Sequence, residues 1–382
     1  MQRSNITLKK VFVLLLVFCL IFTSTSSVLA NDSETALRQG VDNLFFERAE
    51  YIIGYKTNLN KFYSMDSKLL QFELNDRVQK FRDLERQWET KIVSMKSTPY
   101  IKRVNINGGV ASVSVYEWTL FDWTWQGNII TSGFGVNHDM TWSFKDSSWI
   151  VLKDSYDEGP LTGVRSPDYI SPPLINKSRK EPSIQTNSSN LIYTPTTTYT
   201  YNRNAAATYA DQHWNLDNYN DSYYARGYNE NGQLADCANF VSQAMHTGAA
   251  PYVNWLINNS SSWWYNNNGT FPNMTYDDSQ TSTWGNVDYQ YPFMLNHFGT
   301  EIPISNVTQG GLVKGDIVYY DWDGVKGVNH VTIVAYVYVD YTGGTTLPLV
   351  DSHTNDYYHI RWDYGDPAII HPIHISNSLA GD

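Results

Sequence analysis

The stretch Asp236-Cys237-Ala238-Asn239-Phe240-Val241-Ser242-Gln243-Ala244-Met245 holds the only cysteine outside the first thirty residues. A thiol does acyl-transfer chemistry when a base can take its proton and nearby donors can hold an oxyanion. From Cys237 to Thr247 there is no carboxylate, lysine or arginine, and Phe240, Val241, Ala244 and Met245 recur at helical spacing before Gly248. The pattern predicts a helix buried on most sides, starting near Cys237, with Asp236 at the N-cap. There the thiol feels the positive end of the helix dipole, and the first backbone N–H groups are free to bind an oxyanion. The competing reading of Cys237 is a small buried hydrophobe.

The base must come from elsewhere in the chain. Ile317 to Tyr320 reads as a strand, and after a loop His330 opens a second one, with Val331, Ile333, Ala335, Val337 and Val339 on one face. His330 therefore lies on the opposite face of that strand. Gly343-Gly344 marks a turn, and Leu347 to His353 returns as the partner strand. Asp351, His353 and Asn355 share one parity, so any of them could fix the tautomer of His330. Simple pairing about the turn puts His330, His353 and Asn355 on one face, and a slip of one residue reverses this. Asp236 would raise the thiol pKa, while the dipole and a protonated His330 would lower it. The expectation is a thiolate–imidazolium pair.

The start of the chain bears on the lone thiol. Arg3, Lys9 and Lys10 precede an apolar run from Val11 to Phe22, and a Ser/Thr stretch ends in Val28-Leu29-Ala30. This is the pattern of a secretory signal peptide covering residues 1–30. About twelve apolar residues are too few to span a bilayer comfortably. Cleavage would remove Cys19 and leave Cys237 unable to pair within the chain. A free thiol outside the cell is exposed to oxidation, which favours a chemical role over core filling. The chain is expected to be secreted, extracellular and cell-wall associated, without stable membrane insertion. Its formal charge of −11 argues against nucleic acid or anionic lipid as a partner.

The elements around these residues fall into two blocks. Residues 31–160 read as an N-terminal α+β domain. Helical apolar spacing runs from 34 to 95, and period-two stretches follow at Val110–Trp118, Met140–Phe144 and Trp149–Leu152. Helices followed by a curved antiparallel sheet resemble small cone-shaped domains of the nuclear-transport-factor type in element order. His138 stands alone there and reads as a structural histidine. Residues 161–198, rich in Pro, Ser, Asn and Thr, read as an exposed linker and a place for proteolytic processing. The second domain occupies 199–382 and opens with a helix over Asn202–Trp214. A short helix is expected over Pro292–Phe298.

Asp-Cys-Ala-Asn-Phe-Val-Ser-Gln-Ala, then Lys-Gly-Asp-Ile-Val-Tyr-Tyr with Asn-His-Val-Thr-Ile-Val, then Asp-Ser-His-Thr-Asn-Asp, resembles the bacterial putative amidase domain family. That family is similar to the NlpC-type, papain-like cysteine hydrolases. The likeness covers roughly residues 200–375, and its first motif is the most specific. It implies a papain-like α+β domain in which the cysteine helix packs on an antiparallel sheet, with Cys237 as nucleophile and His330 as base. His353 best matches the third position, with Asn355 and Asp351 as alternatives. It also implies amide hydrolysis, commonly in cell-wall peptide such as peptidoglycan, without a cofactor.

Competing constellations are weaker. His359, His371 and His374 cluster near the C-terminus, but no His-Glu-x-x-His occurs and no metal site is expected. No Gly-x-Ser-x-Gly supports a serine hydrolase. Trp255, Trp263, Trp264 and Trp284, among Asn and Ser, could stack on sugars as one wall of a groove, or pack as core aromatics. The reading of another class is a non-catalytic cell-wall or carbohydrate-binding protein with a degenerate hydrolase domain. The sequence as a whole reads as a monomeric, exported cysteine amidase or peptidase.

Overall fold

The computed structural model describes residues 33–171 and 197–382, apart from 217, 222, 225, 228–233, 256–258, 268–278 and 326. The expected signal peptide and most of the expected linker lie outside the described residues. No helix among those described is long and apolar enough to cross a membrane. The fold is α+β, built on one large antiparallel sheet.

Helix α1 spans 33–52 and buries Leu37, Val41, Leu44, Phe45 and Ile52, the face foreseen from spacing. Helix α2 spans 68–87 with a wide turn at Phe72–Arg77. The helical expectation up to residue 95 fails at its end, because Ile92–Asn107 is a strand, β1. Its alternation is masked by polar side chains on an open face, so its pattern reads as featureless. Strands β2 (Val110–Trp125), β3 (Asn128–Lys145) and β4 (Ser148–Ser155) follow. The β3–β4 hairpin turns on Asp146 and Ser147, both at positive φ, where short polar residues are tolerated.

The C-terminal half begins with β5 (Thr197–Thr200) and helix α3 (Arg203–His213), capped by Asn202, whose side chain accepts from the Ala205 N–H. Next come α4 (Cys237–Thr247) and α5 (Val287–His297), the latter longer than expected and with Pro292 inside it. The strands are β6 (Gly299–Glu301), β7 (Ile317–Asp321), β8 (His330–Asp340), β9 (Thr345–Ser352), β10 (Asp356–Arg361), β11 (Ile369–Ile375) and β12 (Ser378–Gly381). The ten-stranded sheet runs β1-β2-β3-β10-β9-β8-β7-β11-β6, with β4 also on β3, while β12 pairs with β5.

The two halves thus share a sheet, joined where β3 pairs with β10 at Gly133–Gly135. A Cβ on Gly135 would overlap the Tyr116 hydroxyl. That hydroxyl donates to Asp356 at 2.5 Å, and Tyr219 donates to the other oxygen of Asp356 at 2.5 Å. Leu161 and Val164, in the stretch read as linker, are buried. The Leu161 N–H donates to the Tyr357 hydroxyl across the same seam. On one face of β7 and β8, helices α3, α4 and α5 cover Ile317, Tyr319, Val331 and Ile333. Val318, Tyr320 and Val334 face the other way, into a core shared with Phe81, Phe121 and Phe134.

The N-terminal half encloses a buried charge network. His138 sits 3.0 Å from both Asp154 and Glu117, and Arg48 and Arg77 pair with Glu73, Asp154 and Glu158. Burial alone would strip the His138 proton, but Asp154 and then Glu117 outweigh it and hold the imidazole up to about 9. For Glu117, burial opposes ionisation, but the bond to His138 and the charge of His138 bring it down to about 2. A raised histidine stabilises fully below its unfolded value and loses this as pH rises through the folded one; a lowered carboxylate does the reverse. This network should be most stabilising between about pH 4.5 and 6.5, with its His138 contribution fading towards about 9. We expect the denaturation midpoint to fall across pH 6.5–9 and this limb to vanish in His138→Gln. The variant should also be less stable by about 3–5 kcal/mol, having left buried charges unpaired. A limb of equal size in the variant would assign it to another group.

Candidate active site

Helix α4 is held from all sides, which explains its run of uncharged residues. Phe240, Val241, Ala244 and Met245 have no exposure and fill the core beneath the sheet. Each contributes roughly 1.5–3 kcal/mol if fully apolar and as large as Val or Phe. The polar residues between them are equally buried and all bonded. Asn239 donates to Asp236 at 2.8 Å and accepts from Trp284 Nε1 at 2.8 Å. Ser242 accepts from Trp263 Nε1 and from Gln290, and Gln243 accepts from the Tyr209 hydroxyl. Gln290 also reaches the Ala238 carbonyl, while its oxygen accepts from Tyr319.

Trp263 and Trp284 are thus core anchors with zero exposure, and Trp264 is also buried. Core packing, the favoured reading of these tryptophans, is what forms for three of the four, and the alternative of a sugar-binding wall is left with Trp255 alone, at 39 % exposure. The indole N–H groups of Trp263 and Trp284 bond α4 and hold its register.

Cys237 opens α4 and is 8 % exposed. The first intrahelical bond runs from the Phe240 N–H to the Asp236 carbonyl, so the N–H groups of Cys237 and Ala238 have no intrahelical partner. Backbone N–H groups of Val331 and Ala238 and the Thr354 hydroxyl lie within hydrogen-bonding reach of the thiol. Burial outweighs them and pushes the Cys237 thiol up to about 11. His330 is also buried, and desolvation brings it down to about 4. The expected thiolate–imidazolium pair is therefore corrected: at neutral pH both partners are uncharged, because desolvation exceeds what the dipole and donors provide.

Asp236 does not cap the helix with its side chain. Its carboxylate accepts from the Gly227 N–H and Asn239 on one oxygen, and lies 2.7 Å from His353 Nδ1 on the other. His353 Nε2 is 2.5 Å from the His213 carbonyl at the end of α3. The ring is stacked between Tyr219, at 3.5 Å, and Phe240, at 3.9 Å. Thr354, next to it, accepts from the Asp236 N–H at 2.8 Å. His353 is a clamp on the residue before the nucleophile. Its two nitrogens are directed at the Asp236 carboxylate and the His213 carbonyl, so neither is directed at the thiol or at His330.

The expected orienting contact from His353 to His330 is accordingly absent, and the register explains why. From Asp340↔Thr345 to Tyr336↔Leu349 the β8–β9 pairing is simple, but a bulge between Val334 and Tyr336 shifts it to Val334↔Val350 and Ile333↔Asp351. This one-residue slip separates the faces. His330 pairs across from Tyr320 and neighbours the Tyr320 and Trp322 rings, while His353 stacks on Phe240 beside the helices. Among the described residues His330 Nε2 has no hydrogen-bond partner. The structure brings Cys237 to the backbone of Val331, one residue from His330.

The alternatives for the third position go elsewhere. The Asn355 carbonyl accepts from Ser352 at 2.8 Å within the turn before β10, and Asp351 is directed at α3 and β10. His371 and His374 do not join His359: His371 pairs with Glu301 and His374 with Asp316, both at 2.9 Å. Sequence reasoning missed the Asp236–His353 clamp, Thr354 and the Gln290–Tyr319 link. The first was legible in part, since a carboxylate beside the cysteine needs a partner once buried.

Residues 200–373 match the model of a family described as putative amidase domain. The chain is 28 % identical over 174 residues to the uncharacterized protein YhbB of Bacillus subtilis (strain 168), covering 46 % of this chain and 48 % of that protein. It thus spans about half the length of that curated relative. No solved structure matches.

Proposed function

We propose that this chain, whose residues 200–373 match the model of a putative amidase domain family, is an exported cysteine amidase that cleaves an amide bond of cell-wall peptide. The observation that carries the reading is the position of Cys237. It begins a fully packed helix whose first N–H groups have no i−4 carbonyl to bond, and it abuts the strand that His330 opens.

The Cys237 thiol attacks the amide carbonyl carbon while His330 takes its proton. With a thiol near 11 and an imidazole near 4, proton transfer ahead of attack is strongly unfavourable, so it accompanies carbon–sulfur bond formation. The N–H groups of Cys237 and Ala238 hold the tetrahedral oxyanion. As the carbon–nitrogen bond breaks, the imidazolium returns the proton to the leaving amine. Water, deprotonated by His330, then attacks the thioester and releases the acid and the free thiol. His353 is a positioning residue: through Asp236 it fixes the start of α4.

The test is to incubate the chain lacking residues 1–30 with peptidoglycan fragments and measure new amino groups. Their release, abolished in Cys237→Ala, is expected. Hydrolysis of simple anilides without cleavage of wall peptide would keep the amidase and remove the wall as its substrate.

A further inference from the structure

Three side chains that take no part in this mechanism converge where α3 packs on β9 and β10. Asp211, Asp351 and His359 each bring one ligand-type atom within 4.8 Å of the other two. His359 Nε2 is 2.7 Å from Asp211 Oδ1. Asp351 has zero exposure, and its Oδ1 accepts from the His359 backbone N–H at 2.6 Å. Its Oδ2 is buried and, among the described residues, has no hydrogen-bond donor; its polar neighbour is the Asp211 carboxylate, close enough to share a proton with it. A buried anionic oxygen without a donor is costly, and a second carboxylate beside it adds repulsion.

We propose that Asp211, Asp351 and His359 form a binding site for a divalent transition cation of the Zn²⁺ type. One imidazole and two carboxylates are a borderline nitrogen–oxygen set, which suits Zn²⁺ better than Ca²⁺ or Mg²⁺, whose ligands are oxygens. Bonds of about 2.1 Å would draw three atoms this close onto one ion with small side-chain movements. The side chains of Asp211 and His359 are 35 % and 13 % exposed, which leaves a path from solvent and room for a water as fourth ligand.

The cation braces the clamp around Cys237. Asp211 lies two residues before His213, whose carbonyl binds His353, and Asp351 lies two residues before His353 itself. Ser132 of β3 also donates to the His359 carbonyl, which ties the site to the N-terminal half. This site departs from the sequence expectation of no metal because its ligands are spread over three elements. No local spacing connects them.

The test uses the full chain without residues 1–30, stripped with EDTA and dialysed against ZnCl₂. We expect one equivalent of zinc per chain by atomic emission and a rise of about 3 °C or more in Tm at a hundredfold excess over Kd. Asp351→Asn keeps the shape and removes the unpaired charge. It should fold with an unchanged or higher metal-free Tm and lose both zinc binding and the Tm shift, and His359→Gln should lose the equivalent too. A wild-type chain that retains no zinc and shows no shift, leaving two carboxyls to share a proton, would overturn the site. So would Asp351→Asn binding zinc as wild type does. Neither readout depends on amide hydrolysis, so failure of the proposed activity leaves this test intact.

Discussion

Cys237→Ala is expected to lower amide hydrolysis by at least about a thousandfold, because no other group in the site can form the acyl intermediate. The fold should survive. The substitution removes one sulfur from a residue whose neighbours Ala238, Phe240 and Val241 stay packed, at a cost of about 1 kcal/mol. Unchanged far-UV and near-UV circular dichroism would confirm that the lost turnover is chemical. Cys237→Ser should also be nearly inactive, since a serine hydroxyl in this desolvated position is harder still to deprotonate. Comparable turnover by Cys237→Ala would exclude the nucleophile.

His330→Ala should lower kcat/KM by about 10²–10⁴-fold, the usual contribution of a general base. The pH profile gives an independent sign. A histidine at about 4 is neutral and basic over nearly the whole range in which the protein is folded. Activity should therefore rise through an acid limb near pH 4 and stay flat through neutrality, rather than rise near the ordinary histidine value of 6.5. A limb at 6.5 would mean that substrate or solvent re-hydrates the imidazole. His330→Ala with wild-type kcat/KM would exclude it as base. His353→Ala differs in kind: it releases Asp236 and should be partly rescued by His353→Gln, which retains a donor towards the carboxylate.

The local physics of the cysteine helix was readable from its side chains. The apolar spacing of Phe240, Val241, Ala244 and Met245 predicts a helix buried on most sides, and the helix that forms is buried from Cys237 to Met245. The asparagine-capped α3, the Asp146-Ser147 turn and the β8–β9 hairpin were equally accessible, because their signals lie within a few residues. What was not accessible depends on partners far apart in the chain. The Asp236–His353 pair joins residues 117 apart, and nothing local tells a capping carboxylate from a clamped one. The bulge between Val334 and Tyr336 has no glycine to announce it, yet it decides which histidine faces the helices. The thiol's upward displacement follows from burial, which local charges do not reveal. The sheet shared through Gly133–Gly135 could not be read from either half alone.

The central claim, that Cys237 carries the acyl group, is tested most directly by trapping it. The full chain without residues 1–30 is mixed with an activated acetyl ester at neutral pH, quenched with acid, digested and analysed by mass spectrometry. The account predicts an acetyl thioester on the peptide containing Cys237, formed much more slowly in His330→Ala. Turnover with no adduct on Cys237, or an adduct on a different residue, would contradict it.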